Sequence, residues 1–353
     1  MYLDNSATTA VSEEVLKEME PYFRESYGNP STLYSVGREA KKGLDEARQR
    51  VADAINADPK EIIFTSGGSE SDNLAIKGIA LKLRGKGNHI ITSEIEHPAV
   101  KETLHFLETL DFKVTYLPVY ENGIVKVEDV KDAITPETIL ITIMHGNNEI
   151  GTLQPIAEIG KLARERKILF HTDAVQTFGK VKVDVEELNV DLLSLSSHKI
   201  HGPKGVGALY VRKGINFERI QDGGHQEKNK RSGTENVAGI VGFGKACEIS
   251  SKSLHEDTVW VSTLKQRFFM ALNEALKDTG DESCVHVNGM SILTPGKTIN
   301  LRMDGVDGET LLLMLDGKGV CVSAGSACRS HEAEPSHVLS AMGLSKDEAR
   351  SSI

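Results

Sequence analysis

Lys199 is a lysine placed where it could act as a nucleophile. It follows the predicted strand 191–195 in the run Ser196-Ser197-His198-Lys199, and a segment rich in glycine and histidine comes after it. An amine at the end of a strand can form a Schiff base with an aldehyde. Ser196 and His198 are suited to binding a phosphate group beside it. The ordinary alternative, a solvated surface lysine, remains open on this pattern alone.

Asp173 supplies a carboxylate at the end of another predicted strand, 168–171. A carboxylate can hold a protonated pyridine nitrogen, which makes the ring an electron sink. Gln176, three residues later, could reach an oxygen on such a ring. An aspartate in this place can equally cap a helix N-terminus. Asp173 and Lys199 together are two of the groups that pyridoxal phosphate (PLP) requires.

The run 65–70, Thr-Ser-Gly-Gly-Ser-Glu, joins a predicted strand over 61–64 to a predicted helix over 71–83. Backbone N–H groups in such a turn, together with the positive end of a helix, bind anions. Gly68 and Ser69 therefore suit the phosphate of PLP. A plain tight turn is an equally good interpretation of the run by itself.

Two more polar side chains follow predicted strands. His97 comes after the strand 89–92, and Asn148 comes after the strand 138–143. A histidine here can stack on a flat ring and move protons, although a structural histidine at a helix start is the alternative. Ligands bind at the carboxyl ends of the strands in parallel sheets, so both residues can face one crevice.

Cys328 lies among small residues in the run 323–330, Ser-Ala-Gly-Ser-Ala-Cys-Arg-Ser. This composition predicts a mobile loop, and the polar setting with Arg329 favours a reactive thiolate. Cys321 lies in an apolar run and is predicted to be a buried apolar side chain. The same prediction applies to Cys247 and Cys284.

Alternating strands and helices predict an α/β fold with a mainly parallel sheet covered by helices on both faces. Its predicted strands are 61–64, 89–92, 113–117, 138–143, 168–171, 191–195 and 206–211. A long predicted helix over 237–276, followed by extended runs at 298–303 and 320–322, indicates a smaller α+β domain. We expect a large domain over 14–255 and a small domain made of 1–13 and 256–353.

The composition narrows the class of protein further. The 353 residues include 51 acidic and 41 basic side chains, for a net charge of −10. A protein that binds nucleic acid would need a basic surface, so we expect no such partner. We also expect no membrane span and no signal peptide. With four cysteines and no C-x-x-C pair, a cytoplasmic location is favoured.

Together these stretches resemble the cysteine desulfurases, the NifS/IscS-like group of fold-type I PLP enzymes. The resemblance covers essentially the whole chain. It is carried by Tyr2-Leu3-Asp4-Asn5-Ser6-Ala7-Thr8-Thr9, Gly28-Asn29-Pro30-Ser31, Asn147-Asn148-Glu149-Ile150-Gly151, Ser196-x-His198-Lys199 and Arg231-Ser232-Gly233-Thr234-Glu235-Asn236. The run 323–328 resembles the short-loop signature of the subgroup that supplies iron–sulfur cluster assembly.

The resemblance implies a role for each candidate residue. Lys199 would hold PLP and move protons, His97 would stack on the ring and act in acid–base steps, and Asp173 would pair with the ring nitrogen. The other implied cofactor contacts are Asn148 and Gln176 to the ring oxygen, Gly68, Ser69, Ser196 and His198 to the phosphate, and Thr234 to the phosphate of a partner subunit. The last contact implies a homodimer.

The implied reaction converts L-cysteine to L-alanine, with the sulfur transferred to Cys328 as a persulfide. In that family the persulfide passes to a scaffold protein on which iron–sulfur clusters form, so Cys328 could also contact iron transiently. Alternatives are a selenocysteine lyase, an aminotransferase, which would not need Cys328, and a sulfur relay that binds the scaffold without turning cysteine over.

Three departures from the family pattern stand out. Gly68-Ser69 replaces the usual Ala-Thr and keeps a hydroxyl, and Tyr34 replaces a histidine that is common after the Gly-Asn-Pro motif. The family continues after Ser351-Ser352-Ile353 with an arginine that binds the substrate carboxylate. No residue of this sequence is assigned to that role, which favours the relay alternative, whereas Lys199, His97 and Asp173 oppose it.

Overall fold

The computed structural model describes residues 1–289, 296–325 and 335–353. Its central feature is a seven-stranded sheet with the strand order β1-β7-β6-β5-β4-β2-β3. The strands are β1 (Ile62–Thr65), β2 (His89–Ser93), β3 (Lys113–Leu117), β4 (Thr138–Thr142), β5 (Leu169–Asp173), β6 (Leu192–Ser196) and β7 (Gly207–Val211). The predicted strands of the sheet are confirmed, with ends that differ by one or two residues.

Only β7 runs against the other strands of this sheet. It pairs antiparallel with β1 and with β6, whereas the pairs β2–β3, β2–β4, β4–β5 and β5–β6 are parallel. The carboxyl ends of β1, β2, β4, β5 and β6 therefore meet at one edge of the sheet. The mainly parallel α/β architecture is confirmed.

Both faces of the sheet are covered by apolar side chains. In β1, Ile62 and Phe64 join one buried cluster, while Ile63 between them joins a second cluster on the opposite face. Successive side chains of a strand point to opposite faces, which explains this alternation. A sheet buried on both faces needs near-continuous apolar strands, as these are.

The helices lie before, between and after the strands. They are α1 (Glu13–Met19), α2 (Pro21–Arg24), α3 (Ser35–Asp53), α4 (Gly68–Leu83), α5 (Pro98–Glu108), α6 (Val127–Ala133), α7 (Ile156–Arg166), α8 (Gln226–Asn229), α9 (Val237–Thr279), α10 (Gly308–Gly317), α11 (His337–Ala341) and α12 (Lys346–Arg350). Short 3-10 turns occupy Pro59–Glu61, Ser197–Lys199 and Glu282–Cys284. Within the described ranges, no helix combines the length and the apolar character that a membrane crossing needs.

Helix α9 is continuous through the predicted domain boundary near residue 255. Its buried residues run from Ala238 to Ser250, with Lys265 as the one later buried position that the helix shows. Gly280 ends the helix in the left-handed conformation, with φ of 80°, which glycine adopts readily. Most residues of α9 after Ser250 are not buried, which agrees with a domain boundary near residue 255. The division into two domains remains a prediction.

The later part of the chain differs from the expectation in two places. The strands β8 (Val285–Val287) and β9 (Leu301–Met303) form an antiparallel pair, so the predicted run 298–303 is extended only at its end. The run 320–322 is not a strand, because Cys321 forms an isolated bridge with Tyr2. Cys321 and Cys284 are only half-buried, contrary to the prediction, while Cys247 is buried as expected.

Candidate cofactor site

The ends of four neighbouring strands form a row at the candidate site. Asp173 of β5 pairs with Ser194 of β6, Ser196 of β6 pairs with Gly207 of β7, and Gly207 pairs with Thr65 of β1. The predicted site residues follow these strands directly. The sheet therefore brings the start of α4, Asp173 and the Lys199 segment to one edge.

Glycines let the start of α4 pack closely against this edge. A Cβ atom on Gly207 would lie 2.7 Å from the backbone of Gly67, and one on Gly68 would lie 2.7 Å from Cγ2 of Val175. Gly67 has φ of 156°, a conformation that other residues rarely adopt. The first N–H groups of a helix have no partners inside it, so this turn offers donors to an anion.

The acidic side chain nearest to this turn is neutralised. Glu70 accepts an N–H from Ser66 at 2.7 Å and another from Nε of Arg231 at 2.8 Å. Burial would raise the pKa of Glu70, but these hydrogen bonds from Arg231 and Ser66 hold it below its usual value. A phosphate at the start of α4 would therefore meet an ion pair rather than a bare carboxylate.

Thr234, three residues after Arg231, is exposed.

Asp173 is a buried carboxylate, 7% exposed. Its Oδ1 accepts the N–H of Val175 at 2.8 Å, so it does cap the turn that follows β5. Burial raises its pKa, while the charges of His97 and Lys199 act in the opposite direction. His97 and Lys199 therefore lie near enough for their charges to act on this carboxylate, and a protonated ring nitrogen would give it a further cationic partner.

His97 likewise has a structural contact. It is the N-cap of α5, and its Nδ1 accepts the N–H of Ala99 at 3.1 Å. The accepting nitrogen carries no proton, so in the neutral ring the proton is on Nε2. The helix-start role and a catalytic role use different nitrogens and are compatible.

Lys199 is held by the start of the chain. Its Nζ donates to the carbonyl oxygen of Ser6 and, at 2.9 Å, to that of Ala7. Gln176 donates from Nε2 to the same Ser6 carbonyl at 2.9 Å. The N-terminal segment, which we define as residues 4–9, therefore forms one wall of the site. The sequence motif at its start indicated a family, but not this contact.

His198 is fixed by the same segment. Its Nδ1 lies 3.1 Å from Oγ1 of Thr8, and its carbonyl accepts the N–H of Thr9 at 3.0 Å. Burial, together with the charges of Lys199 and two further lysines, lowers the pKa of His198 to about 4. The ring is therefore neutral near pH 7. Ser196 before it is buried.

Asn148 lies half-buried after β4, on a loop organised by its neighbour. The side chain of Asn147 accepts the N–H groups of Glu149 at 2.8 Å and Ile150 at 3.1 Å, and donates to the carbonyl of Ile95 at 3.0 Å. Asn147 therefore holds the loop on which Asn148 lies.

Cys328 and Arg329 lie outside the described residues. The described residues before and after Cys328 form hydrogen bonds with segments that border the site. Ser323 donates to Oδ2 of Asp4 at 2.6 Å, Ser336 donates to Glu149, and Nε2 of His337 lies 3.0 Å from the carbonyl of Glu96. These contacts connect both flanks of the Cys328 segment to the N-terminal segment and to the loops after β2 and β4.

Several buried polar residues behind the site were not predicted. Asp72 on α4 and Glu96 are fully buried, and Nε2 of His171 lies 3.6 Å from Oδ1 of Asp72. Burial raises the pKa of Asp72 well above its usual range, and the charge of Asp173 raises it further. A charged residue on the apolar face of a predicted helix was the signal that could have revealed Asp72.

Lys180 is a further buried residue that was not predicted. It is buried, and its Nζ donates to Oε1 of Gln176 at 2.9 Å. The spacing of four residues between Gln176 and Lys180 in a helical turn could have revealed the pair.

The donor groups of this edge suit PLP. A helix N-terminus with Ser196 and His198 offers hydrogen bonds for a phosphate, Asp173 offers a buried carboxylate, and Lys199 offers a primary amine. No group of three or more potential metal ligands occurs within the described ranges.

Known proteins were compared with the whole chain. Residues 1–353 match the family described as Aminotransferase class-V. The chain is 51% identical over 356 residues to the cysteine desulfurase IscS of Clostridium botulinum, covering 100% of this chain and 88% of that protein. It is 50% identical over 353 residues to the cysteine desulfurase IscS of Dictyoglomus turgidum, with the same coverage.

Solved structures agree with these relatives. A structure titled NifS-like protein superposes with a TM-score of 0.90 at 37% identity, covering 100% of this chain and 92% of that one. A structure titled SspA in complex with cysteine superposes with a TM-score of 0.87 at 40% identity, covering 99% and 96%. The chain therefore belongs to the aminotransferase class-V family of PLP-dependent enzymes and, within it, to the cysteine desulfurases.

Proposed function

We propose that this cysteine desulfurase converts L-cysteine to L-alanine and carries the sulfur on Cys328 as a persulfide. The observation that supports the proposal best is the meeting of Lys199, Asp173, His97 and the α4 N-terminus at one sheet edge. That edge belongs to a chain that is half identical, along its whole length, to curated cysteine desulfurases.

PLP, when bound, supplies an electron sink for the amino acid. Lys199 would hold it, and the Ser6 and Ala7 carbonyls give the lysine amine a place to rest when it is displaced. Asp173 would keep the ring nitrogen protonated from its buried position. His97 would present its Nε2 side to the ring, since Nδ1 is already engaged with Ala99.

The phosphate would lie at the start of α4. Gly68 and Ser69 would donate backbone N–H groups there, with Ser196 and the neutral His198 as further partners. Asn148 and Gln176 would contact the ring oxygen. Gln176 has an N–H directed to Ser6, so its amide already faces the segment beside Lys199.

The sulfur transfer itself balances without an external oxidant. The C–S bond of cysteine breaks, an S–S bond forms at Sγ of Cys328, and the β-carbon gains a hydrogen to become the methyl group of alanine. The β-carbon gains two electrons, and the two sulfur atoms of the persulfide, that of Cys328 and that of the substrate, give up one each. A reductant or an acceptor protein then removes the persulfide sulfur.

The partners follow the family pattern. A scaffold protein for iron–sulfur clusters would receive the sulfur from Cys328, which could contact iron transiently during that transfer. The enzyme would act in the cytoplasm, in keeping with the free thiols of Cys247, Cys284 and Cys321. Thr234, which is exposed in the single chain, would reach the cofactor phosphate of a second copy in a homodimer.

The deciding experiment measures sulfide and alanine released from L-cysteine by the purified protein with PLP and a reductant. We expect equal amounts of both products, and we expect Cys328→Ser to lose at least 99% of the sulfide while still binding PLP, because the sulfur acceptor is gone. Cys321→Ser is the matched control and should retain activity. It removes a half-buried thiol seven residues away.

The same assay separates the other candidates. Sulfide release by Cys328→Ser at the unmutated rate would contradict the role of Cys328. Turnover of selenocysteine but not of cysteine would indicate a selenocysteine lyase, and transfer of the amino group to a keto acid would indicate an aminotransferase. A PLP-bound protein without turnover would indicate the sulfur relay.

A further inference from the structure

Residues 4–7 of the N-terminal segment form a turn, which we call the Asp4 turn. The N–H of Ala7 closes it by donating to the carbonyl oxygen of Asp4 at 3.0 Å. The hydroxyl of Tyr2 lies 2.8 Å from the same carbonyl oxygen and 3.1 Å from that of Thr8. These contacts hold residues 2–8 together as one unit.

One side of the Asp4 turn receives Lys199. Its Nζ donates to the carbonyl oxygens of Ser6 and Ala7, the second at 2.9 Å. An unlinked lysine nitrogen has two or three protons to donate, whereas a lysine nitrogen that is double-bonded to carbon has at most one. Linking Lys199 to PLP therefore removes at least one of these two hydrogen bonds. Its release from PLP allows both to form again.

The carboxylate of the same turn holds Ser323. Oδ2 of Asp4 accepts the Ser323 hydroxyl at 2.6 Å, a length typical of a hydroxyl on an ionised carboxylate. Both side chains are half-buried, so the hydrogen bond is partly shielded from water. Ser323 comes five residues before Cys328 in the sequence. The Asp4 turn is therefore attached to the chain shortly before the proposed sulfur acceptor.

A second attachment lies two residues earlier, at Cys321. Its N–H donates to the carbonyl oxygen of Met1, and its own carbonyl accepts the N–H of Leu3, both at 2.9 Å. The start of the chain and residues 321–323 are therefore joined by backbone as well as side-chain hydrogen bonds.

We propose that Asp4 is a positioning residue for sulfur transfer: it holds Ser323, and its turn links the release of Lys199 from PLP to the attachment of the residues before Cys328. The inference rests on the proposed roles of Lys199 and Cys328. Lys199 is released when the substrate takes its place on the cofactor, which is when the sulfur acceptor is needed. Its amine then returns to residues 6 and 7 and steadies the turn that holds Ser323.

The test separates cysteine binding from sulfur transfer. Asp4→Ala and Ser323→Ala each remove one partner of the hydrogen bond. In both variants the absorbance change of PLP on addition of L-cysteine should keep its rate, because the backbone acceptors of Lys199 remain. Persulfide formation on Cys328, followed by rapid quenching and mass spectrometry, should slow about tenfold or more, since misplaced reacting groups react slowly.

Two further variants show whether the pair acts as one unit. Combining Asp4→Ala with Ser323→Ala should slow persulfide formation no more than either change alone, because both remove the same hydrogen bond. Ser323→Thr retains the hydroxyl and should keep the unmutated rate. The proposal is overturned if both alanine variants form the persulfide within about twofold of the unmutated rate, or if the two losses multiply in the double variant.

Asp307→Ala is the matched control. Asp307 caps α10, and its Oδ1 accepts the hydroxyl of Thr310 at 2.8 Å, so the change removes a carboxylate–hydroxyl hydrogen bond of the same kind elsewhere. It should leave the rate of persulfide formation unchanged. An unmutated protein that forms no persulfide on Cys328 would contradict the proposed function, and the measurement below would then decide the role of the Asp4 turn.

Hydrogen exchange of the unmutated protein tests the link to Lys199 without turnover or a variant. Pyridoxamine phosphate has an amine in place of the aldehyde of PLP, so it cannot be linked to a lysine. The amides of Leu3 and Cys321 should exchange about fivefold faster with PLP bound than with pyridoxamine phosphate bound, as a modest coupling between two sites would give.

Borohydride reduction of the PLP-loaded protein and peptide mapping identify the linked lysine. Equal exchange in the two forms, with PLP linked to Lys199, would overturn the inference and leave the proposed function intact. An adduct on another lysine would instead contradict the proposed cofactor role of Lys199.

Discussion

Two polar side chains at the candidate site contact the backbone through one of their polar atoms. Asp173 caps the turn after β5 with Oδ1, and His97 caps α5 with Nδ1. In each case the contact with the backbone fixes the orientation of the side chain. Pre-organisation of this kind reduces the reorganisation that a reaction requires. A structural contact is therefore no argument against a catalytic role at these positions.

Glu96, beside His97, gives a prediction on stability and pH. Burial raises its pKa from 4.5 to about 8, although Ser93 donates to Oε1 at 2.5 Å. Between pH 4.5 and pH 8 the folded state therefore keeps a proton on Glu96 that the unfolded state has already lost. The stability that this proton contributes is complete below pH 4.5 and is lost as the pH rises through 8, by at most about 1.4 kcal/mol per pH unit.

Urea unfolding of the apoprotein at pH 6 and pH 8.5 would measure this effect. Glu96→Gln has no proton to lose, so the unfolding free energy of the unmutated protein should fall relative to that of the variant as the pH rises. Equal changes in both proteins would show that Glu96 does not titrate in this range.

At the scale of elements, the close approach of β7 to the start of α4 shapes the anion-binding turn. A Cβ atom on Gly207 would lie 2.5 Å from the carbonyl of Leu195 as well as 2.7 Å from Gly67. Gly207→Ala should therefore displace the turn, lower the unfolding free energy by about 1–3 kcal/mol and weaken PLP binding. Gly317→Ala is the control, since a Cβ atom there meets no other atom within 4 Å.

Thermal unfolding of the two apoproteins and a fluorescence titration with PLP would give both quantities. A Gly207→Ala protein that binds PLP as tightly as the control would mean that the turn tolerates the extra methyl group and that its packing does not determine cofactor affinity.

The local pattern predicted the strands and the residues at their ends, because apolar runs followed by polar or glycine-rich residues leave a signal within a few positions. Lys199, Asp173 and His97 were proposed as site residues in this way. The wall formed by residues 4–9 and the Lys180–Gln176 contact depend on chain segments that meet only in the fold. Cys321 was predicted to be buried in an apolar run. In the structure this run does not join a sheet, and Cys321 pairs only through an isolated bridge to Tyr2.

At the scale of the whole molecule, large apolar side chains are exposed in the segment 23–34. Phe23, Tyr27, Leu33 and Tyr34 are all exposed, and Leu33 is 88% exposed. Exposed apolar side chains that cluster often mark a protein–protein interface. They are in keeping with the proposed homodimer.

Sedimentation velocity at micromolar concentrations should show a dimer. Leu33→Glu should raise the dissociation constant of the dimer about tenfold or more, because it places a charge on the proposed interface segment. Met270→Glu, which changes an exposed side chain on α9, should leave the association unchanged. A monomer at every concentration of the unmutated protein would contradict the homodimer.

The wall of residues 4–9 also bears on how the protein is made. Ser6 lies 193 residues before Lys199, and Asp4 lies 319 residues before its partner Ser323. A ribosome releases the start of the chain first, so this segment cannot meet Lys199 until residue 199 has been made, or Ser323 until residue 323 has been made. Contacts between such distant segments form slowly. The contacts of this wall are therefore complete only after residue 323 has been synthesised.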